Sequence, residues 1–383
     1  MKFSQMSNAV TPSLTRQLFN MAYEIGGDVI DLTLGDPDIL PPLEIRQAAC
    51  DAIAAGKTRY SANAGLALLR EKYASFFEKH YGLKINGNKN VIATVGGMEA
   101  LFLSLASIVD PGDEVIVLAP YYVNYVQMIG MMNGVPIIVD RLNKNDLELI
   151  GAIERCVSKK TVAMIVNSPC NPTGDIIAPD LLDAVTEIAS KNDLIVISDE
   201  VYNSLVFDGF TAESIVTRNG MQDRTVVIDS CSKRFAMTGY RIGFAAGPEE
   251  IIKNMTKMQE NVAACAPLPS QYAAIKALSE DFDYSYINDT YQHRRDLVYN
   301  ALRRIPKLQC IKPKATFYCF VDISKTGYNS REFAFALLEK KHVAVVPGVT
   351  YGETYDNYVR IAFTLDDEKL NNAMKRIEEF CGE

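Results

Sequence analysis

The chain is poor in the residues from which metal sites and disulfide frameworks are built. Its three histidines, His80, His293 and His342, stand far apart, and its eight cysteines are scattered with no Cys-x-x-Cys pair. Zinc ligands come in close pairs and disulfide scaffolds belong to short secreted chains, so the sequence offers no metal site and the cysteines read as reduced core thiols. His80 ends a helical pattern and reads as a surface residue. No apolar stretch approaches the roughly 20 uncharged residues of a spanning helix. The opening Met1-Lys2-Phe3-Ser4-Gln5-Met6-Ser7 lacks the apolar core of a secretory signal. The expectation is a cytoplasmic protein without a membrane partner. Positive charge is short as well: 39 Lys and Arg against 47 Asp and Glu give a net charge of −8, the wrong sign for nucleic acid or an anionic membrane. Neither Gly-x-Gly-x-x-Gly nor the glycine loop that ends in Gly-Lys-Ser/Thr occurs, so dinucleotides and nucleoside triphosphates are not indicated. There is no repeat, low-complexity tract or flexible linker.

What the sequence does have is a long alternation of two patterns. Its 383 residues, 48% of them apolar, can form a large core, and their number favours about two domains. From Val91 to Asp229 strand-like runs at 91–95, 114–118, 136–139, 161–166, 194–198 and 225–229 alternate with helical patterns, one starting at Met98 and another at Pro179. That order predicts a mainly parallel sheet covered on both faces. Ligands of such sheets bind beyond the carboxyl ends of the strands. Ahead of this region lie a short strand at 29–34 and helices at 43–55 and 66–80. Behind it come a helix from Pro248 to about Val262, a break at Pro267 and Pro269, and a long helical stretch to about Arg304. The pattern then becomes α+β: strand 316–321, helix 331–341, and strands 343–346 and 358–363.

Most of the chemistry-bearing residues fall just past those strand ends. The run Val226-Val227-Ile228 leads to Ser230 and Ser232 on either side of Cys231, then Lys233, with Arg241 eight residues on. Small and apolar neighbours aim this lysine into a cleft, where its pKa falls and it becomes a Schiff-base nucleophile beside an anion. Gly96-Gly97 precedes a helix, where bare amides and the helix dipole can hold a phosphate, or where two glycines simply make a turn. Tyr121 and Tyr122 follow a strand and can stack on a flat ring or pack in the core. Asn167 to Gly174 form a rigid loop with two prolines, and Gly35-Asp36-Pro37-Asp38 is a turn whose backbone can approach a ligand. Asp199 ends a buried strand and needs a cationic partner, be it an ordinary ion pair or a ligand. Arg360 sits in an apolar strand and needs an anion, either a structural carboxylate or a substrate.

Together these motifs, spread in order from Asp31 to Phe363, resemble those of class I pyridoxal-phosphate-dependent aminotransferases of fold type I. The resemblance implies an α/β fold: a large domain with a mainly parallel seven-stranded sheet between helices, plus a smaller α+β domain. It divides the chain into an N-terminal segment 1–44 joining the small domain, a cofactor domain 45–275 and a small domain 276–383. By the same resemblance Lys233 carries pyridoxal 5′-phosphate as a Schiff base and moves the substrate's α-proton. Asp199 then faces the pyridine nitrogen, while Tyr202 and Asn171 face the phenolic oxygen. Tyr122 stacks on the ring where relatives often have tryptophan. The amides at Gly97 and Met98, with Ser230, Ser232, Arg241 and Tyr60 of a partner subunit, hold the phosphate. Gly35, Asn171 and Arg360 fix the α-carboxylate. The implied reaction moves an amino group from an α-amino acid to a 2-oxo acid in ping-pong half-reactions, by a homodimer.

Some aspartate-using members carry lysine directly after the paired glycines, where this chain has Met98, so a neutral donor, aromatic or methionine-like, is expected, with 2-oxoglutarate or pyruvate as acceptor. A C–S β-lyase shares the scaffold and is the alternative. Ser230-Cys231-Ser232-Lys233 with Lys325-Thr326-Gly327 also matches two elements of the serine β-lactamases, but the Ser-Asp-Asn element between them is missing. A cofactor-sensing regulator would add a DNA-binding domain, and the aminotransferase pattern begins almost at the first residue.

Overall fold

The computed structural model describes residues 2–383 except 13, 143, 280 and 281. Its largest sheet has seven strands: β1 (Val91–Thr94), β2 (Glu114–Ala119), β3 (Val135–Asp140), β4 (Thr161–Asn167), β5 (Ile195–Asp199), β6 (Thr225–Ser230) and β7 (Gly243–Ala246). They lie in the order β1-β7-β6-β5-β4-β2-β3. All run parallel except β7, which is antiparallel to both of its neighbours. Successive side chains on a strand point to opposite faces. Thus Val115, Val117, Ile165 and Ile197 join one hydrophobic cluster while Ile116, Met164, Val166 and Val196 join another. Every residue of β6 is buried, which is why its run of Val and Ile reads as continuously apolar rather than alternating.

A second, antiparallel sheet has four strands in the order Val346–Pro347, Tyr358–Ala362, Tyr318–Asp322, Gln309–Cys310. The short strand Ile30–Asp31 pairs in parallel with Val343–Ala344. Leu18, Ala22, Ile30 and Leu32 share one core with Val343, Phe363 and Ile377, so the beginning of the chain is packed into its end. No helix among the described residues is long and apolar enough to cross a membrane.

Three sequence expectations need correction. The strand expected at 343–346 is two: Val343–Ala344 pairs with the N-terminal strand, Val346–Pro347 pairs with Tyr358–Ala362, and buried Val345 turns the chain between them. The long helical stretch is two helices, Leu268–Ala277 and Ser285–Leu302. All eight cysteines are free, but only Cys170, Cys231, Cys319 and Cys381 are buried, and Cys50 is exposed.

Candidate active site

The carboxyl ends of β4, β5 and β6 and the amino end of the helix Gly96–Ile108 open on a cavity of about 610 Å³. It is lined by every site residue expected from sequence except Tyr60. Tyr60 is 86% exposed and stands outside the cavity of its own chain.

Lys233 lies in the single turn Cys231–Arg234 that follows β6 at once. Its Nζ donates to the carbonyl of Gly35 and stands 5.4 Å over the ring of Phe317. Burial, helped by the positive charges of Arg241 and Arg360 and opposed by Asp36, brings its pKa down to about 8. Ser230 and Ser232 are hydrogen-bonded to each other through their hydroxyls at 2.9 Å, and Ser230 also accepts from the Ser232 amide. The hydrolase pairing is therefore not assembled: the amine addresses Gly35 rather than Ser230, and Lys325 and Gly327 are exposed and away from the cavity.

Asp199, at the end of β5, is buried and has no cation within ion-pair distance among the described residues. Tyr125 donates to its Oδ2 at 2.6 Å, and the amide of Val201 reaches Oδ1 at 3.4 Å. Loss of solvation outweighs these bonds and pushes its pKa up to about 6. Buried carboxylates without a cation are costly, so this one is complementary to a positively charged group of a ligand.

Arg360 is its counterpart. It is buried on the central strand Tyr358–Ala362, and no carboxylate pairs with it among the described residues. Nη1 donates to Asn171 Oδ1 at 3.0 Å, Nη2 donates to the carbonyl of Thr33, and Nε has no partner. The guanidinium lies 4.1 Å over the ring of Tyr318 and 5.3 Å from that of Tyr351. Those rings replace solvent around the cation, and the N–H groups that Asn171 and Thr33 do not use are left for an anion.

Gly96, at φ +75°, and Gly97 begin their helix against Arg241: a Cβ on Gly96 would come within 2.5 Å of Arg241 Nη2. Arg241 is exposed and in the left-handed region at φ +52°. Bare amides beside a guanidinium make an anion cradle. Gly35 is a true close approach, since a Cβ there would stand 1.8 Å from Tyr318 Oη. Tyr202 and Tyr318 are joined through their hydroxyls at 3.0 Å, and burial raises the pKa of Tyr202 and Tyr122.

Sequence reasoning missed Tyr125, Asn167, Tyr318, Tyr351 and Arg16, all of which line the cavity. Asn167 positions others: its Oδ1 accepts from the Asn171 amide at 3.0 Å and its Nδ2 donates to the Asp199 carbonyl at 3.1 Å. Asn167 opens the loop 167–174 that the sequence singles out, and Tyr125 stands three residues beyond Tyr122. The other three reach the cavity through tertiary contacts that carry no local signal.

A parallel sheet with one antiparallel strand, a buried carboxylate at the end of its central strand, a lysine just past the strand beside it and a smaller antiparallel sheet closing the cavity define a fold type I pyridoxal-phosphate-type transferase. The family model for aminotransferase class I and II matches residues 27–377, and the chain belongs to that family. An aspartate aminotransferase from Pyrococcus abyssi is 38% identical over 100% of this chain and 99% of its own. Aromatic-amino-acid aminotransferase 2 from Thermococcus litoralis is 36% identical over the same shares, 100% and 99%. Among solved structures, the Thermus thermophilus aspartate aminotransferase with maleate superposes with a TM-score of 0.93 at 33% identity, covering 99% of each chain. The protein is an aminotransferase, and the cofactor of its family is pyridoxal 5′-phosphate. The residues present suit that group: an amine, a buried carboxylate short of a cation and an anion cradle line one cavity.

Proposed function

We propose that Lys233 is the residue that carries pyridoxal phosphate and moves the proton between the substrate's α-carbon and the cofactor. The observation that carries this is Lys233 sharing a cavity with a buried carboxylate lacking a cation, Asp199, and a buried guanidinium lacking an anion, Arg360. An amine of pKa about 8 is partly unprotonated near neutrality and can act as a base. When bound, the cofactor supplies an electron sink, and the protein supplies orientation and electrostatics. Asp199 keeps the ring nitrogen protonated, and Tyr202 and Asn171 address the phenolic oxygen. Tyr122 stacks on the ring. Gly97, Met98, Ser230, Ser232 and Arg241, with Tyr60 from a second subunit of a homodimer, hold the phosphate. Arg360, Asn171 and Gly35 hold the α-carboxylate and so orient the bond to be broken. The division 1–44, 45–275 and 276–383 belongs to the same reading and is supported by the core that residues 18–32 share with the C-terminal region.

Borohydride reduction of the yellow holoenzyme, followed by peptide mapping, tests the assignment. The phosphopyridoxyl group should sit on Lys233, and a label on any other lysine overturns it. For the donor the reading is a neutral amino acid, aromatic or methionine-like. It rests on Met98, whose thioether lines the cavity and accepts a hydrogen bond from Asn124, and on a relative that bears an aromatic-amino-acid name. Comparing kcat/KM for aspartate, alanine, methionine and phenylalanine decides it. A preference for aspartate of tenfold or more, about 1.4 kcal/mol, removes the Met98 argument. The cytoplasm is the proposed compartment.

A further inference from the structure

Four cations line the cavity: Lys233, Arg241, Arg360 and Arg16. The first three have tasks in the reading above, and Arg16 has none. It comes from the N-terminal segment, which is fastened on both sides of the opening. On one side Thr11 and Gln127 exchange two hydrogen bonds of 3.0 Å, tying the segment to the helix Asn124–Met131. On the other, the helix Leu14–Ile25 buries Leu18 and Ala22 in the core it shares with Val343 and Phe363. Between those anchors Thr15 and Arg16 line the cavity, with Arg16 exposed, so its guanidinium belongs to the mouth.

Among the described residues Arg16 has no acid within ion-pair distance, and its guanidinium rests 5.1 Å over the ring of Phe19. The acid on the same cavity wall, Asp36, accepts from the Thr238 hydroxyl at 2.6 Å. A mouth cation left over after the phosphate and the α-carboxylate are matched calls for an anion that only some substrates bring. A monocarboxylic acid places its single charge at Arg360. A dicarboxylic acid has a second one to place.

We propose that Arg16 receives the distal carboxylate of a dicarboxylic substrate, a 2-oxo acid of the 2-oxoglutarate class acting as amino acceptor, while Met98 faces the side chain of a neutral donor. The two substrates of a ping-pong reaction occupy the same cavity in turn, and an exposed arginine on an aromatic ring can leave that ring for a carboxylate at small cost. This inference rests on the assignment of the cavity made above.

The test uses the purified holoenzyme and its Arg16→Ala and Arg16→Lys variants, with one neutral donor and either 2-oxoglutarate or pyruvate as acceptor. A charge-assisted hydrogen bond corresponds to roughly a 10- to 150-fold change. The ratio of kcat/KM for 2-oxoglutarate over pyruvate should therefore fall at least about 10-fold in Arg16→Ala and recover in part in Arg16→Lys. The Kd of succinate, followed through the cofactor's absorbance, should rise relative to that of propionate by a similar factor. Wild-type turnover together with a ratio in Arg16→Ala within about twofold of the wild type overturns the role of Arg16 and leaves the cavity assignment standing. A phosphopyridoxyl label away from Lys233 overturns the cavity assignment itself.

Discussion

Lys233 and Asp199 are held away from their ordinary titration ranges in opposite directions, and both displacements count against the cofactor-free fold. The folded pKa of Lys233 is about 8 against an ordinary 10.5. Between those values the unfolded chain binds more protons, so stability rises with pH through that window, and at pH 7 the full penalty is present. Asp199 titrates near 6 instead of 3.8; its penalty is present above pH 6 and is relieved as the pH falls toward 3.8. Cofactor-free Lys233→Met should therefore melt above cofactor-free wild type at neutral pH, by on the order of 1–3 kcal/mol. That gap should close as the pH rises from 8 to beyond 10.5. Differential scanning calorimetry at pH 7 and pH 10.5 checks it, and a gap of equal size at both would mean that the charge is not the cause. Pairing with a ligand cation removes the Asp199 penalty, so bound cofactor stabilises the protein by more than contact area alone.

Strand β7 is the element that joins the sheet to the anion cradle. A Cβ on Gly243 would stand 2.5 Å from the carbonyl carbon of Gly96 and 2.5 Å from the amide nitrogen of Gly97. Backbone packed that closely leaves no room for a methyl group. Gly243→Ala should push the start of the helix Gly96–Ile108 away from Arg241, raise the Kd for pyridoxal phosphate about tenfold or more, and cost about 1–3 kcal/mol of stability. Titration of the cofactor-free variant and its melting curve measure the two effects; a lower Tm with an unchanged Kd would show that β7 supports only the sheet. This strand is also where the sequence was least legible. Six parallel strands announced themselves by apolar runs between helical patterns, whereas Gly243-Phe244-Ala245-Ala246 is short and made mostly of residues with weak strand preference. The site followed the same rule. Asp199, Asn171 and Lys233 stand at the ends of elements that periodicity reveals. Tyr318 comes to Arg360 from the neighbouring strand of the four-stranded sheet and Tyr351 from the turn after Val346–Pro347, pairings that only the tertiary fold sets.

At the scale of the whole molecule, Tyr60 is the residue that one chain leaves unexplained. A tyrosine 86% exposed on a loop ahead of the helix Ala67–Tyr81 gains nothing from its own subunit's cavity. In the proposed homodimer it reaches the partner's phosphate. Tyr60→Phe should weaken cofactor binding several-fold while sedimentation still shows a dimer, and unchanged affinity would count against the shared contact. A different consequence follows from the pairing of Ile30–Asp31 with Val343–Ala344 and from Arg360 donating to Thr33 across 327 residues of sequence. Every strand of the large sheet leaves the ribosome before Arg360 does. Synthesis thus delivers the residues proposed to hold the cofactor ahead of Arg360, and the strand Ile30–Asp31 must wait for Val343–Ala344 before it can pair. A chain cut short near its end is expected to keep its colour longer than its turnover.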